Sequence, residues 1–285
     1  MIPAAFDYIV PDSLEAAAAS LADAGENAKV MAGGHSLLPM MKLRLAQPSV
    51  VIDLKRLDAL RQIQLDGGAL RIGALVTHHQ VETSGEVADN CPLLALTAGS
   101  IGDPQVRNRG TIGGSVVHGD PAADWPAALL ALGAEVTLAS KGGSRSVAAG
   151  DFFLGPLTTA IEPAEILAGV SVPVPAAGTR ATYRKVKQKA SGFALVGIAV
   201  CLRMDGDTCA DAGIGVTGLA ATPFRATAVE DQLRGKALTA DVIAAAASVV
   251  ADGADALDDI HASADFRSHL ARLNTARAIE DALGS

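Results

Sequence analysis

Residues 29–44 read KVMAGGHSLLPMMKLR, and residues 100–124 read SIGDPQVRNRGTIGGSVVHGDPAAD. Each stretch sets two adjacent glycines beside hydroxyl-bearing residues. In the first, a short apolar strand over 28–31 runs straight into Ala32-Gly33-Gly34-His35-Ser36. Glycine main chain, lacking Cβ, approaches a ligand closely and can turn its N–H groups toward an anion. Ser36 adds a hydroxyl donor. Such a nest suits a pyrophosphate, although an ordinary strand–turn connection is spelled the same way. The second stretch repeats the pattern in Arg109-Gly110-Thr111-Ile112-Gly113-Gly114-Ser115, with Asp124 at the start of a helical run. Asp124 suits ribose hydroxyls or the capping of that helix, and the two roles are compatible.

Working outward, Pro11-Asp12-Ser13-Leu14-Glu15 spells a helix start, with Asp12 or Ser13 as cap and Glu15 placed to reach back. Gly25 ends that helix. Residues 49–54 read as a strand, and 61–76 alternate around Asp66-Gly67-Gly68 as a hairpin. Helices are predicted near 79–84, 93–100 and 124–132, then a strand over 135–139. PVPAAG at 173–178 reads as a linker. Beyond it, 180–186, 197–204 and 208–217 read as antiparallel strands, and the chain from about Thr227 is helical. The pattern predicts an α+β (mixed α/β) protein. A unit over 1–176, with sub-lobes of about 1–55 and 56–176, precedes a smaller α+β unit over 177–285 with a three-stranded antiparallel sheet and helices.

Composition narrows the function. Hydrophobic residues make up 49% of the 285 and charged ones 19%, which suits a folded protein with a large core. With six Phe, two Tyr and one Trp, that core must come mostly from Ala, Val, Leu and Ile. A net charge of −8 disfavours nucleic acid or an anionic membrane as main partner, so an anionic ligand needs a locally arranged site. No secretory leader is read at the start, and the apolar runs at 127–132 and 242–250 are too short to span a bilayer. The expected location is the cytoplasm. Cys91, Cys201 and Cys209 form no C-x-x-C pair, so this chain alone builds neither a zinc ribbon nor an iron–sulfur cluster.

Other motifs carry less. Gly213-Ile-Gly215-Val-Thr-Gly218 matches the letters G-x-G-x-x-G, but it lies inside a hairpin strand, and Glu230 downstream stands too near to serve a ribose. It reads as a strand packed closely against a neighbour. There is no P-loop. His78-His79 at a helix start lacks a third ligand and reads as structural or exposed, and His261 and His269 have no acids at ligand spacing. No catalytic side chain and no metal ligand is expected.

Together with YRKVKQKASGFALVGIAV at 183–200, these blocks resemble, in order and spacing and over essentially the whole chain, the FAD-binding medium subunits of the carbon monoxide dehydrogenase and xanthine dehydrogenase group of molybdenum hydroxylases. The resemblance implies a two-lobed FAD-binding domain of the PCMH type followed by a small C-terminal domain, with FAD held non-covalently. It implies that Lys29, Val30, Met31, Ala32, Gly33, Gly34, His35 and Ser36, with Thr111, Gly113, Gly114 and Ser115, wrap the pyrophosphate and nearby flavin atoms. Ile101 and Gly102 would line the adenosine side and Asp124 meet the ribose–adenine end, with Leu167 and Lys185 completing the pocket. Lys185 would also offset an anionic cofactor; without the family it reads as a solvated strand residue. Many members carry Tyr where this chain has Phe193 near the flavin ring, so shielding is kept and a hydroxyl is lost. His118 either touches the cofactor or braces its loop.

FAD carries the redox chemistry in such proteins, and no substrate-side catalyst is readable here. The resemblance therefore implies an electron-transfer subunit. Molybdopterin and [2Fe-2S] clusters are expected on a large and a small partner subunit, in a dimer of heterotrimers, with electrons leaving to NAD, a quinone or oxygen. The alternative is a stand-alone FAD-dependent oxidase of a small organic substrate. The roughly 110 residues after Pro175 are poor in the polar and aromatic groups such a substrate domain needs.

Overall fold

Ser13 accepts a hydrogen bond from the Ala16 amide at 3.0 Å and starts the helix Leu14–Ala24, which ends at Gly25 with φ 64°. Glu15 takes no part in the cap. The reciprocal capping box falls elsewhere, between Thr77 and Gln80, and begins the helix His78–Thr83. The structure is a computed structural model and describes residues 2–284.

Three larger sheets and one two-stranded hairpin are formed by the described residues. The first is parallel, of β1 (Asp7–Ile9), β2 (Ala28–Met31) and β3 (Val50–Asp53) in the order β1-β3-β2. Ala17, Ala18 and Leu21 of the first helix pack on it beside Ile52 and Leu54. The second is antiparallel and begins with β4 (Ile63–Asp66) and β5 (Ala69–Gly73), joined through Gly67 and Gly68, both at positive φ. Paired glycines let the two-residue turn follow the strand twist. It continues with β6 (Glu135–Ser140) and β7 (Gly143–Ala148). A hairpin of β8 (Phe153–Gly155) and β9 (Thr158–Thr159) precedes β10 (Ile166–Pro173), which completes the order β4-β5-β10-β6-β7. Its core gathers around Trp125, Phe152, Leu129 and Leu138.

The third sheet is antiparallel, of β11 (Thr179–Lys187), β12 (Ala194–Asp205), β13 (Thr208–Thr217) and β14 (Phe224–Arg225). The three strands expected there are present, and the two-residue β14 adds a fourth. β10 was not foreseen, because its ILAGVSVP does not alternate, nor was β7, whose GSRSVA is polar and almost wholly exposed. The helix Ala264–Gly284 closes the chain against β11 and β12. Among the described residues no helix is long and apolar enough to cross a membrane.

Of the glycines of the G-x-G-x-x-G segment, Gly213 and Gly215 lie within β13 and pack against the helix Trp125–Ala131, and Gly218 just after it packs against the start of β12. A Cβ at Gly213 would meet the Ala131 carbonyl oxygen at 2.1 Å, and one at Gly215 the Ala127 carbonyl oxygen at 1.9 Å. No nucleotide is involved in that requirement. Overpacking of this kind costs about 1–3 kcal/mol. Gly215→Ala is expected to lower the melting temperature by at least about 3 °C, whereas Gly150→Ala, with nothing within 4 Å, should leave it nearly unchanged. Equal melting of the two variants would contradict this packing.

Candidate functional site

A cleft opens where β2 ends. After Met31 the chain turns through Ala32-Gly33-Gly34-His35-Ser36, with Gly34 at φ 76°, into the helix Leu37–Lys42. The backbone N–H groups of Gly33, Gly34, His35 and Ser36 donate to no acceptor among the described residues. Glycine is required at 33 by the crossing chain: a Cβ there would lie 2.1 Å from the Arg109 carbonyl oxygen. His35 Nε2 stands 3.3 Å from the Gln105 carbonyl oxygen and ties the same two segments.

The second double glycine behaves differently from the expected nest. Thr111 caps the helix Ile112–His118, its Oγ1 accepting from Gly114 N at 3.1 Å. Ile112 N donates to Val76 O, Gly113 N to Ala74 O and Ser115 N to Thr111 O, each at 3.0 Å. All four amides are therefore occupied, because this turn is the first turn of a helix docked on the end of β5. Gly113 is needed for that docking, since its Cβ would lie 2.5 Å from Ala74 Cβ. Gly114 is exposed in the cleft. A Cβ there would crowd Thr111 Oγ1 at 2.9 Å, with Ala32 Cβ next at 3.9 Å. The second pair thus contributes space rather than donors.

Between these segments lies a cleft of about 770 Å³, within the range of small-molecule and cofactor sites. Every residue named from the resemblance lines it except Met31 and Lys185. Gly192, at the tip between β11 and β12, closes on Gly102, where its Cβ would be 3.4 Å from Gly102 Cα, and Phe193 follows at 44% exposure.

Asp124 forms the acidic wall. It is buried, and it makes no side-chain cap to the helix Trp125–Ala131, so its expected capping role is absent. Instead Tyr183 Oη donates to Oδ1 at 2.6 Å, and Lys185 Nζ lies 2.8 and 2.9 Å from the two carboxylate oxygens. Lys185 Nζ also donates to Ser100 O at 3.0 Å. The Lys185 side chain is 5% exposed, so it is neither a solvated strand residue nor a free cation in the cleft. Burial pushes the Asp124 carboxyl up, with Lys185 and Tyr183 pulling it back. Burial and the neighbouring carboxylate hold the Tyr183 phenol well above its usual value.

The cleft also takes residues that sequence reasoning missed, among them Ala74, Leu75, Asp120, Glu165 and His78. The apolar ones carry no signal that separates them from core. His78 had one, since Thr77-x-x-Gln80 spells the capping box that turns it inward. Trp125 Nε1 donates to His78 Nδ1 at 3.1 Å. Indole N–H is donor only, so the imidazole proton sits on Nε2. Burial first, then the charges of His35 and Arg107, lowers the His78 pKa from 6.5 to about 4. His118 lines the cleft, whereas the exposed His79 faces Glu82 at 3.6 Å. Burial pushes the Cys91 and Cys201 thiols up to about 12 and about 11, and among the described residues no three His, Cys, Asp or Glu converge on a metal position.

Residues 4–175 match the family described as the FAD binding domain in molybdopterin dehydrogenase, and residues 181–282 match the CO dehydrogenase flavoprotein C-terminal domain. The chain is 41% identical to the carbon monoxide dehydrogenase medium chain of Hydrogenophaga pseudoflava, covering 99% of this chain and 98% of that one. It is 37% identical to the 6-hydroxypseudooxynicotine dehydrogenase complex subunit alpha of Paenarthrobacter nicotinovorans, covering 99% and 96%. The solved carbon monoxide dehydrogenase of Hydrogenophaga pseudoflava that lacks the Mo-pyranopterin moiety superposes with a TM-score of 0.97 at 42% identity, covering 100% of this chain and 99% of that one.

His78 makes the fold sensitive to acid. A histidine with a depressed folded pKa stabilises fully above its unfolded pKa and loses that contribution as pH falls through the gap. Between pH 6.5 and about 4, His78 should withdraw stability on the order of 3 kcal/mol. The melting temperature of His78→Gln should fall less than that of the unmodified protein over this window. Parallel pH profiles would show that His78 is not the group responsible.

Proposed function

The chain belongs to the family of FAD-binding medium subunits of molybdopterin dehydrogenases, and from that membership we propose that it is the flavin-bearing electron relay of a heteromeric molybdenum hydroxylase. The observation that carries the reading is the run of four unpaired backbone amides at residues 33–36, opening on a cleft whose facing wall has no side chain at Gly114. Free donors beside a glycine surface fit a diphosphate.

In this reading the amides of Gly33 to Ser36 hold the diphosphate, and the hydroxyls of Ser36 and Ser115 add donors. Lys29 brings local positive charge to a protein of net charge −8. Leu167 and Phe193 exclude water from the cleft, and Asp124, Ile101 and Gly102 bound it, with Gly192 bringing Phe193 beside Gly102. Bound FAD supplies one- and two-electron redox chemistry that no side chain provides. Molybdopterin and [2Fe-2S] clusters would sit on a large and a small partner subunit, in a dimer of heterotrimers. Electrons would leave the relay to NAD, a quinone or oxygen. The unit over 1–176 would carry the flavin and that over 177–285 support it.

Purification of the native protein tests this. It should elute with molybdenum-containing and iron-containing partner chains and with visible flavin absorbance. Gly114→Leu should lose most of the flavin, whereas Gly114→Ala, whose Cβ crowds the Thr111 cap to the same extent, is the control for lost stability. A chain that elutes alone and oxidises an organic substrate by itself would contradict the relay. Undiminished flavin in Gly114→Leu would contradict the site.

A further inference from the structure

The wall that carries Asp124 belongs to the first half of the chain, yet the groups that hold it come from the second. Ala194 N donates to Ala122 O at 3.2 Å, and Gly218 N to Pro121 O at 2.7 Å. The Thr217 hydroxyl lies 2.8 Å from Pro121 O and 2.7 Å from Ala123 O. Tyr183 and Lys185 then end on Asp124 itself. Lys185 also holds Ser100 O, next to the cleft-lining Ile101, whose own carbonyl accepts from Arg107 at 3.1 Å. Behind them, Arg267 from the helix Ala264–Gly284 donates to Leu195 O at 2.7 Å and to Gly218 O at 2.8 Å, bracing the ends of β12 and β13. One sheet therefore converges on the four residues 121–124.

We infer that Tyr183 and Lys185 are positioning residues for flavin retention, holding Asp124 in the cleft and cancelling its charge, so that the C-terminal sheet governs the affinity of a site whose phosphate-facing amides lie at residues 33–36. This rests on the reading that FAD occupies the cleft. The reason is electrostatic. A carboxylate buried without its partner cation keeps an uncompensated charge, which is costly in itself and repels an anionic ligand. Asp120, on the same loop and in the same cleft, adds to that repulsion. Of the other titratable groups near, Tyr183 is a donor and not a cation, and His118 lies at the far end of its helix, lining the cleft. Lys185 is thus the group that neutralises Asp124. Without it, protonation of Asp124 is the remaining way to discharge the wall, and protonation depends on pH.

The FAD dissociation constant of the full chain, read by flavin fluorescence from about pH 6 to about pH 9, tests the inference, with a thermal melt of each variant as control. Lys185→Met should bind about tenfold or more weakly at the alkaline end and recover as pH falls. Lys185→Met with Asp124→Asn should show no pH dependence, whatever its absolute level. Tyr183→Phe removes one hydrogen bond to a charged group and should weaken FAD about tenfold. That loss should vanish when Asp124 is Asn. If Lys185→Met does not fold, Tyr183→Phe and its Asp124→Asn background carry the test. Unchanged affinity in Lys185→Met, or a pH-independent loss that Asp124→Asn does not relieve, overturns the inference while leaving the flavin reading intact. An unmodified chain that takes up no FAD overturns both.

Discussion

Where residue 33 passes residue 109, the two main chains run so close that a methyl group would sit 2.1 Å from a carbonyl oxygen. The same holds where Gly113 meets Ala74 at the end of β5, and where a Cβ on Gly110 would lie 2.7 Å from His78 Nε2. The crossing at Gly33 sets the end of the small parallel sheet against the helix Pro104–Arg109 at backbone contact, the crossing at Gly113 docks the helix Ile112–His118 on the end of β5, and the cleft is the space left between them. Interiors are packed densely enough that a side chain at Gly33 or Gly113 would have to move a main chain, and one at Gly110 the ring of His78. The separation they fix leaves the amides of residues 33–36 facing the opening, beyond reach of the chain's own carbonyls. An unpaired amide costs about 1–3 kcal/mol if kept dry, so such a row persists only where water or a ligand can reach it.

A protein of net charge −8 attracts an anion only through local arrangement. Here that arrangement is main-chain dipoles, with the nearest buried acid already neutralised. Asp124 and Lys185 are each 5% exposed and satisfy one another, and Glu165, also at the cleft, is held bidentately by Arg145 at 2.7 and 2.8 Å. The charges of Asp124 and Glu165 are thus offset at the walls while donors are left on one edge. Breaking such a pair costs more than making it gains, because a lone buried charge remains. The site is therefore only as good as the contacts reaching it from β11 and from the ends of β12 and β13.

How far the sequence could be read follows from which interactions are local. The turn at 67–68, the cap at Ser13 and the long β11–β13 meander are spelled by neighbouring residues and were found. The double glycines were recognised as sites of close approach, and the segment at 213–218 was correctly separated from a nucleotide loop because its strand context was wrong. What failed was the assignment of donors. Thr111 with Gly114 three residues on has the spacing of an N-cap, which already takes one amide, but the partners of Ile112 and Gly113 are Val76 and Ala74, known only once β5 is placed. Asp124 shows the same limit. Its neighbours suggest a helix cap, whereas Tyr183 and Lys185, 59 and 61 residues away, decide its role. The edge strand β7 was invisible because an exposed edge has no buried face to impose alternation.

The account stands or falls on whether residues 33–36 are the donors that receive the diphosphate. Amide hydrogen exchange of the full chain, with and without FAD and with riboflavin as a control lacking phosphate, addresses it directly. FAD should slow exchange at residues 33–36 and riboflavin should not, while residues 112–115, already hydrogen-bonded, should be slow throughout. Exchange at 33–36 that ignores FAD, or that riboflavin slows equally, would contradict the account.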